Sequence, residues 1–324
     1  MRFRSFGRAG WLVSEIGFGA WQLGGTWGAI DDNASVRTMH HAFDRGVNIV
    51  DTSALYGLGR SEHVVGQALR EWRGTRIYVA TKAPPLTQPH PDDHAAPMRG
   101  QYPPEHLRRH VEQSLRNLGI ERIDLFQLHH WIERGLVELD WLETLNELRL
   151  EGKIDQIGVS LRDIRPAPGV PLARLGLVAS QQVGFNIFEQ KALDVLFPTA
   201  LATRTAILVR TPLASGALSG TWTEATYSTW TSDDKRHQMY RGDRFSETLH
   251  RVRAIEALTK KFYPTLAEAA LRFTLRPSAV STVLIGMRDP AEFDLNLSVC
   301  DGAVFPEELA AALRPHAWAH EFYD

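Results

Sequence analysis

Cysteine is almost absent from this chain: Cys300 is the single one in 324 residues. A lone thiol excludes an internal disulfide and a zinc site built on cysteines, and it fits a reducing cytoplasm. An excess of charge of one sign is missing as well. The 36 basic and 38 acidic side chains give a formal net charge of −2, so no global field draws the chain onto nucleic acid or an anionic bilayer. No stretch approaches the ~18 apolar residues of a membrane span, and residues 1–6 lack the apolar centre of a secretory signal. The Gly-x-Ser-x-Gly elbow of serine hydrolases occurs nowhere. The expectation is a cytoplasmic protein with a small neutral or phosphorylated partner, bound to neither nucleic acid nor membrane; its oligomeric state stays open.

What is present is a repeated pattern. With 44% hydrophobic and 23% charged residues the chain can bury a large core. Two short alternating pieces, 2–6 and 11–16, flank Gly7-Arg8-Ala9-Gly10 and read as a hairpin. Eight short apolar, β-branched runs follow, at 16–21, 47–52, 77–82, 123–129, 154–160, 177–183, 205–211 and 280–286. Amphipathic helical stretches lie between them, among them 33–45, 60–72, 104–118, 137–151, 188–203 and 289–299. Repeated strand-helix units demand parallel pairing with right-handed crossovers, and eight of them close most simply into a (β/α)8 barrel, one domain over 1–324. An open doubly wound sheet is the weaker reading. Its Gly-x-Gly-x-x-Gly turn has one candidate, Gly17-Phe18-Gly19-Ala20-Trp21-Gln22, which lacks the last glycine and runs into Leu23-Gly24-Gly25. Two connections are long. Residues 83–103 read equally as a mobile decoration or a functional loop, and 213–245, carrying Trp222, Tyr227, Trp230 and Tyr240, reads as a lid because four exposed rings need a ligand to cover.

Barrel enzymes place their chemistry at the C-terminal ends of the strands. Five of the apolar runs end on polar residues: Asp51 and Thr52, Lys82, His129, Ser160, and Gln182. Taken singly, Asp51 reads as a turn cap, Lys82 as an exposed strand exit, His129 as a rim histidine, and Ser160 and Gln182 as polar stops. Jointly they converge on one mouth. Metal catalysis fits poorly, because His129 and His130 are adjacent on a strand and point to opposite faces. Tyr56, five residues after Asp51, completes another chemistry. A phenol transfers protons poorly at neutral pH unless a cation stabilises its phenolate; Lys82 supplies that charge, Asp51 holds Lys82, and His129 hydrogen-bonds the reacting oxygen. That is acid-base machinery for reducing a carbonyl or oxidising an alcohol.

These residues resemble the aldo-keto reductases over nearly the whole chain. The matching stretches are 7–19, Asp51-Thr52-x-x-x-Tyr56-Gly57 with Ser61-Glu62 and Gly66, Thr81-Lys82, Asp124-Leu125-x-x-x-His129 and Gly158-Val159-Ser160. The resemblance implies a (β/α)8 barrel and hydride transfer between a nicotinamide cofactor and a carbonyl. It implies Tyr56 as general acid, tuned by Lys82 and Asp51, and His129 orienting the substrate oxygen. Cofactor contacts implied in the same way are Gly19, Ala20 and Trp21 after the first barrel strand, and Ser160, Leu161, Gln182 and Arg210 at the nicotinamide. The pyrophosphate loop would hold Thr211, Pro212, Leu213, Ser215, Gly216 and Leu218; the adenosine end, Gly286, Met287, Arg288, Glu292 and Asn296. Trp21, Tyr56, His129 and Trp131 would meet the substrate.

The chain departs from the family pattern at Leu161, where Asn is common, and at Arg210, where many members stack a Tyr under the nicotinamide. Arg288 suits the 2′-phosphate of NADP, whereas Glu292 suits the ribose of NAD; NADP (NADPH) is favoured and NAD stays possible. No cluster of Arg and Lys marks an anionic subsite, which points to a neutral aldehyde, ketone or sugar. The alternatives are an NAD-dependent sugar or alcohol dehydrogenase on the same fold and a nicotinamide-sensing regulatory subunit.

Overall fold

The computed structural model describes all residues except 26, 29, 88–95, 163–164, 288, 319, 321 and 323–324. The chain begins with an antiparallel pair, β1 (Phe3–Ser5) and β2 (Leu12–Ser14). Eight parallel strands then close on themselves: β3 (Ile16–Gly19), β4 (Ile49–Asp51), β5 (Tyr78–Ala83), β6 (Ile123–Leu128), β7 (Ile154–Ser160), β8 (Ser180–Gly184), β9 (Ala206–Arg210) and β10 (Val280–Ile285), with β10 pairing both β9 and β3. The hairpin and the (β/α)8 barrel are therefore as the sequence pattern predicts.

The period of two along each strand sorts its side chains between barrel interior and helix layer. Ile49, Ala80, Leu125, Ala206, Leu208 and Leu284 fill the lower interior, and the hairpin residues Phe6 and Val13 pack beneath them as a plug. Higher up the interior narrows. A Cβ on Gly158 would lie 2.5 Å from Ser180 Oγ and 3.0 Å from Gln127 Cγ, so only glycine leaves room for those polar side chains. The outer helices bury one stripe each: Leu107, Val111, Ser114 and Leu118 face inward on Pro104–Leu118, which stops at Gly119 with φ of 66°. Cys300 is buried beyond the helix Pro290–Leu297, and burial pushes its thiol up to about 12. Among the described residues no helix is long and apolar enough to cross a membrane.

Some element boundaries differ from the predicted ones. The expected helix over 188–203 is two, Lys191–Val195 and Phe197–Thr203. Pro198 supplies no N–H to continue the first ladder, and Asn186 Oδ1 ties up the amides of Phe188 and Glu189 in a turn before it. The segment 213–245 is not a structureless span of exposed rings. It holds short turns at Ala214–Ser219 and Thr226–Thr229 and the helix Lys235–Met239. Tyr240 is buried and Trp222, Tyr227 and Trp230 are half-buried, because they pack with Phe245, Trp318 and Phe322 into a satellite aromatic core. The rings are covered by one another and by the chain's C-terminal segment, a partner that no local pattern reveals.

Candidate active site

The C-terminal ends of β4, β5, β6 and β8 bring four side chains into one hydrogen-bonded group. Lys82 is fully buried, and its ammonium donates to Asp51 Oδ1 at 2.5 Å, to the Thr52 carbonyl at 2.8 Å and to Tyr56 Oη at 3.3 Å. Its three donors are thereby used. Asp51 Oδ2 accepts from Gln182 Nε2 at 2.9 Å and from Gln127 Nε2 at 3.0 Å. A buried carboxylate needs such partners to remain ionised. Behind this group, the buried Glu62 accepts from Thr81 Oγ1 and Asn117 Nδ2, fastening the helix Arg60–Glu71 to β5 beside Lys82.

The electrostatics differ from the simplest expectation for Tyr56. Burial raises its phenol above the ordinary range; Lys82 pulls it down and Asp51 pushes it up, and the balance is upward. Tyr56 is thus held protonated at neutral pH rather than made acidic. Burial alone would drive the Lys82 ammonium to deprotonate, yet the Asp51 carboxylate and the hydrogen bonds to Asp51 and Tyr56 outweigh it and its pKa lies above the ordinary value. His129 is held neutral, well below the usual imidazole range, by burial and then by His130, Lys82 and Arg210. Its ring stands edge-on to Tyr56, 5.7 Å between centroids, and its Nδ1 meets Ser53 Oγ at 3.0 Å.

A cavity of about 340 Å³ opens beside this group, within the range of small-ligand sites. Gly19, Ala20 and Trp21 line it at the end of β3, with Asp51 and Tyr56 from the next strand and loop, and Gln182 and Arg210 from β8 and β9. Thr211, Pro212, Leu213, Ser215 and Gly216 form one wall, and Gly286 and Glu292 the far end. Lys82, Ser160, Leu161, Leu218, Met287 and Asn296 lie buried behind the walls, and His129 is half-buried beside Tyr56. Trp131 is buried against Trp141 and is not part of the cavity lining, while its amide donates to the Ser160 carbonyl. Arg288 lies outside the described residues.

The wall at 211–216 is conformationally costly. Thr211, Ala214 and Ser215 have φ of 54°, 45° and 56°, and Gly216 has 100°. Left-handed backbone at three non-glycine residues costs on the order of 1 kcal/mol each and gathers where a backbone must serve a ligand. Asn296 Nδ2, at the adenosine end implied by the motifs, is a buried donor with no acceptor among the described residues, which marks a place for a bound acceptor. A phosphate-bearing dinucleotide fits these residues: turned backbone along one wall, an unmatched amide buried behind the far end, and the hydrogen-bonded Lys82 and Tyr56 at the other end.

Gln127, Gln22 and Arg236 escape the motif-level reading. Gln127, on β6, sits two positions before His129, just past the strand end, so the period of two over the predicted run 123–129 would have placed both on the inner face. Gln22 packs against Gly286, where a Cβ would lie 2.5 Å from its Oε1, and donates to the Met287 carbonyl. Arg210, which the family resemblance already implied, donates to the Leu161 carbonyl at 2.6 Å. Arg236 reaches the cavity from the 213–245 segment, bound to the buried Asp234 and stacked against Trp27 and Trp230. Two arginines thus share one cavity although they are far apart in sequence.

The model of the Aldo/keto reductase family matches residues 15–317. The aldo-keto reductase YhdN of Bacillus subtilis is 30% identical over 304 residues, covering 91% of this chain and 87% of that protein. The NADH-specific methylglyoxal reductase of Escherichia coli is 28% identical, covering 93% and 96%. Among solved structures, the glycerol dehydrogenase AKR11B4 of Gluconobacter oxydans superposes with a TM-score of 0.76 at 28% identity, covering 97% and 94%. The chain belongs to the aldo/keto reductase family. It is a nicotinamide-dependent oxidoreductase of that family, acting on carbonyl or sugar substrates.

Proposed function

We propose that this enzyme reduces the carbonyl of a small neutral aldehyde, ketone or sugar, with Tyr56 as the proton donor and NADPH as the preferred cofactor. The observation that carries the reading is the bond from the fully buried Lys82 ammonium to Tyr56 Oη at the edge of the cavity. The cofactor, when bound, supplies the hydride that the carbonyl carbon receives. Tyr56 gives its proton to the carbonyl oxygen, the resulting phenolate is held by Lys82, and solvent returns the proton; Asp51 keeps Lys82 charged through the step. His129, neutral at working pH, offers a hydrogen bond to the same oxygen. By the family resemblance, Ser160, Leu161, Gln182 and Arg210 would hold the nicotinamide, residues 211–218 the pyrophosphate, and Gly286, Met287, Glu292 and Asn296, with Arg288 outside the described residues, the adenosine end. Trp21 and Trp27 wall the substrate space.

A second reading, an NAD-dependent dehydrogenase, draws on Glu292, whose carboxylate lines the far end of the cavity and would repel a 2′-phosphate. Calorimetric titration with NADP and with NAD separates the two. A lone, buried, unpaired cysteine suits a reducing cytoplasmic setting. The catalytic assignment is tested by mixing the protein with NADPH and a panel of activated aldehydes. The parent consumes NADPH, and Tyr56→Phe loses at least about 10³-fold in kcat while binding cofactor normally. A Tyr56→Phe variant that turns over like the parent overturns the assignment.

A further inference from the structure

Ser53 follows Asp51 and Thr52 on the loop after β4 and is completely buried. Its hydroxyl has two partners. The Leu55 amide donates to Oγ at 3.2 Å, and His129 Nδ1 lies 3.0 Å away. A serine oxygen carries one hydrogen and accepts at its lone pairs. The Leu55 contact uses the oxygen as acceptor, since a backbone N–H can only donate. Among the described residues the hydroxyl hydrogen then has one acceptor within reach, Nδ1 of His129. Were Nδ1 to carry the proton instead, the serine hydrogen would be stranded inside the protein, at a cost of about 1–3 kcal/mol. A neutral imidazole whose Nδ1 accepts must carry its hydrogen on Nε2, and burial with the neighbouring His130, Lys82 and Arg210 keeps this imidazole neutral.

We propose that Ser53 is a positioning residue that fixes His129 as the Nε2–H tautomer, so that the free edge of the ring is a hydrogen-bond donor toward the oxygen of a substrate carbonyl. The tautomer follows from the contacts alone; its use in catalysis rests on the reading that Tyr56 and His129 face a carbonyl. Thr52, one position earlier, bonds instead to Ser61 Oγ, which in turn donates to the Ala20 carbonyl. The two adjacent hydroxyls therefore brace different walls, and Thr52 cannot replace Ser53 at the imidazole.

The test is nitrogen-15 correlation spectroscopy of the histidine side chains in the full-length parent, with His129 assigned by its loss in His129→Gln. The expected result is a single Nε2–H tautomer at pH 7. In Ser53→Ala that signal changes to a mixture, and kcat for aldehyde reduction falls about tenfold, the equivalent of one hydrogen bond, with the cofactor Kd unchanged. Ser53→Thr, which keeps the hydroxyl, retains tautomer and rate. An Nδ1–H or doubly protonated ring in the parent overturns the proposal, as does a Ser53→Ala protein with unaltered tautomer and turnover. Because the parent spectrum requires neither turnover nor cofactor, it stands even if no aldehyde in the panel is reduced.

Discussion

Each end of the barrel sets a cation against a buried carboxylate, and the two cations use their donors differently. At the floor, Arg4 pairs with the buried Glu15 at 2.7 Å and gives its remaining donors to the carbonyls of Leu275, Pro277 and Val280. Its partners there are a carboxylate walled off from the cavity and three backbone carbonyls, so the guanidinium staples the hairpin strand β1 to the start of β10. At the mouth, Lys82 meets a carboxylate, a carbonyl and the phenol of Tyr56. The third partner can gain and lose a proton. A cation becomes chemically useful when one of its ligands is a hydroxyl that faces a cavity; saturated by carboxylate and backbone, it is architecture.

This contrast is sharpened most by removing each cation. Lys82→Met leaves Asp51 buried with only its two amide donors. It is expected to lower unfolding free energy by about 3 kcal/mol in denaturant titration and to abolish NADPH-dependent turnover alongside. Arg4→Leu leaves Glu15 at the opposite end with only the outlying Arg2, 4.0 Å away. That costs about 2 kcal/mol yet leaves kcat unaltered; a rate loss as large as that of the lysine variant would break the distinction between the ends. The smallest effect concerns protons. His130, beside the mouth, and His110, on an outer helix, are depressed to about 4, chiefly by burial. Between about pH 6.5 and 4 the unfolded chain takes up protons at these rings that the folded chain refuses. Stability is therefore complete above that window and falls on acidification, read as a Tm drop of several degrees from pH 7 to pH 5. His130→Gln should flatten the slope in part.

Much of the mouth was legible because a parallel strand is a short apolar run, and a polar residue at its end is conspicuous: Asp51, Lys82, His129 and Gln182 all stood out this way. The barrel was legible for a related reason, since its order repeats along the chain. What escaped belongs to the third dimension. Gln127 lies inside a strand and looks like an interruption until Asp51 appears opposite it. Ser53 has meaning only through a histidine 76 positions away. Arg236 and Arg210 converge through the long segment after β9, whose aromatic residues find their cover in Trp318 and Phe322 at the far end of the chain. The net upward push on Tyr56 was also hidden, because a sequence names the neighbouring cation but not the depth at which the pair is sunk.

Cys300 carries a practical consequence. Its thiol is shielded and stays protonated through the neutral range, so maleimide dyes and alkylating aldehydes find no thiolate on the native surface. A cysteine introduced at the exposed Ser228 would be the sole reactive handle. A fluorophore attached there would report movement of the aromatic segment without first stripping the protein of its own sulfur.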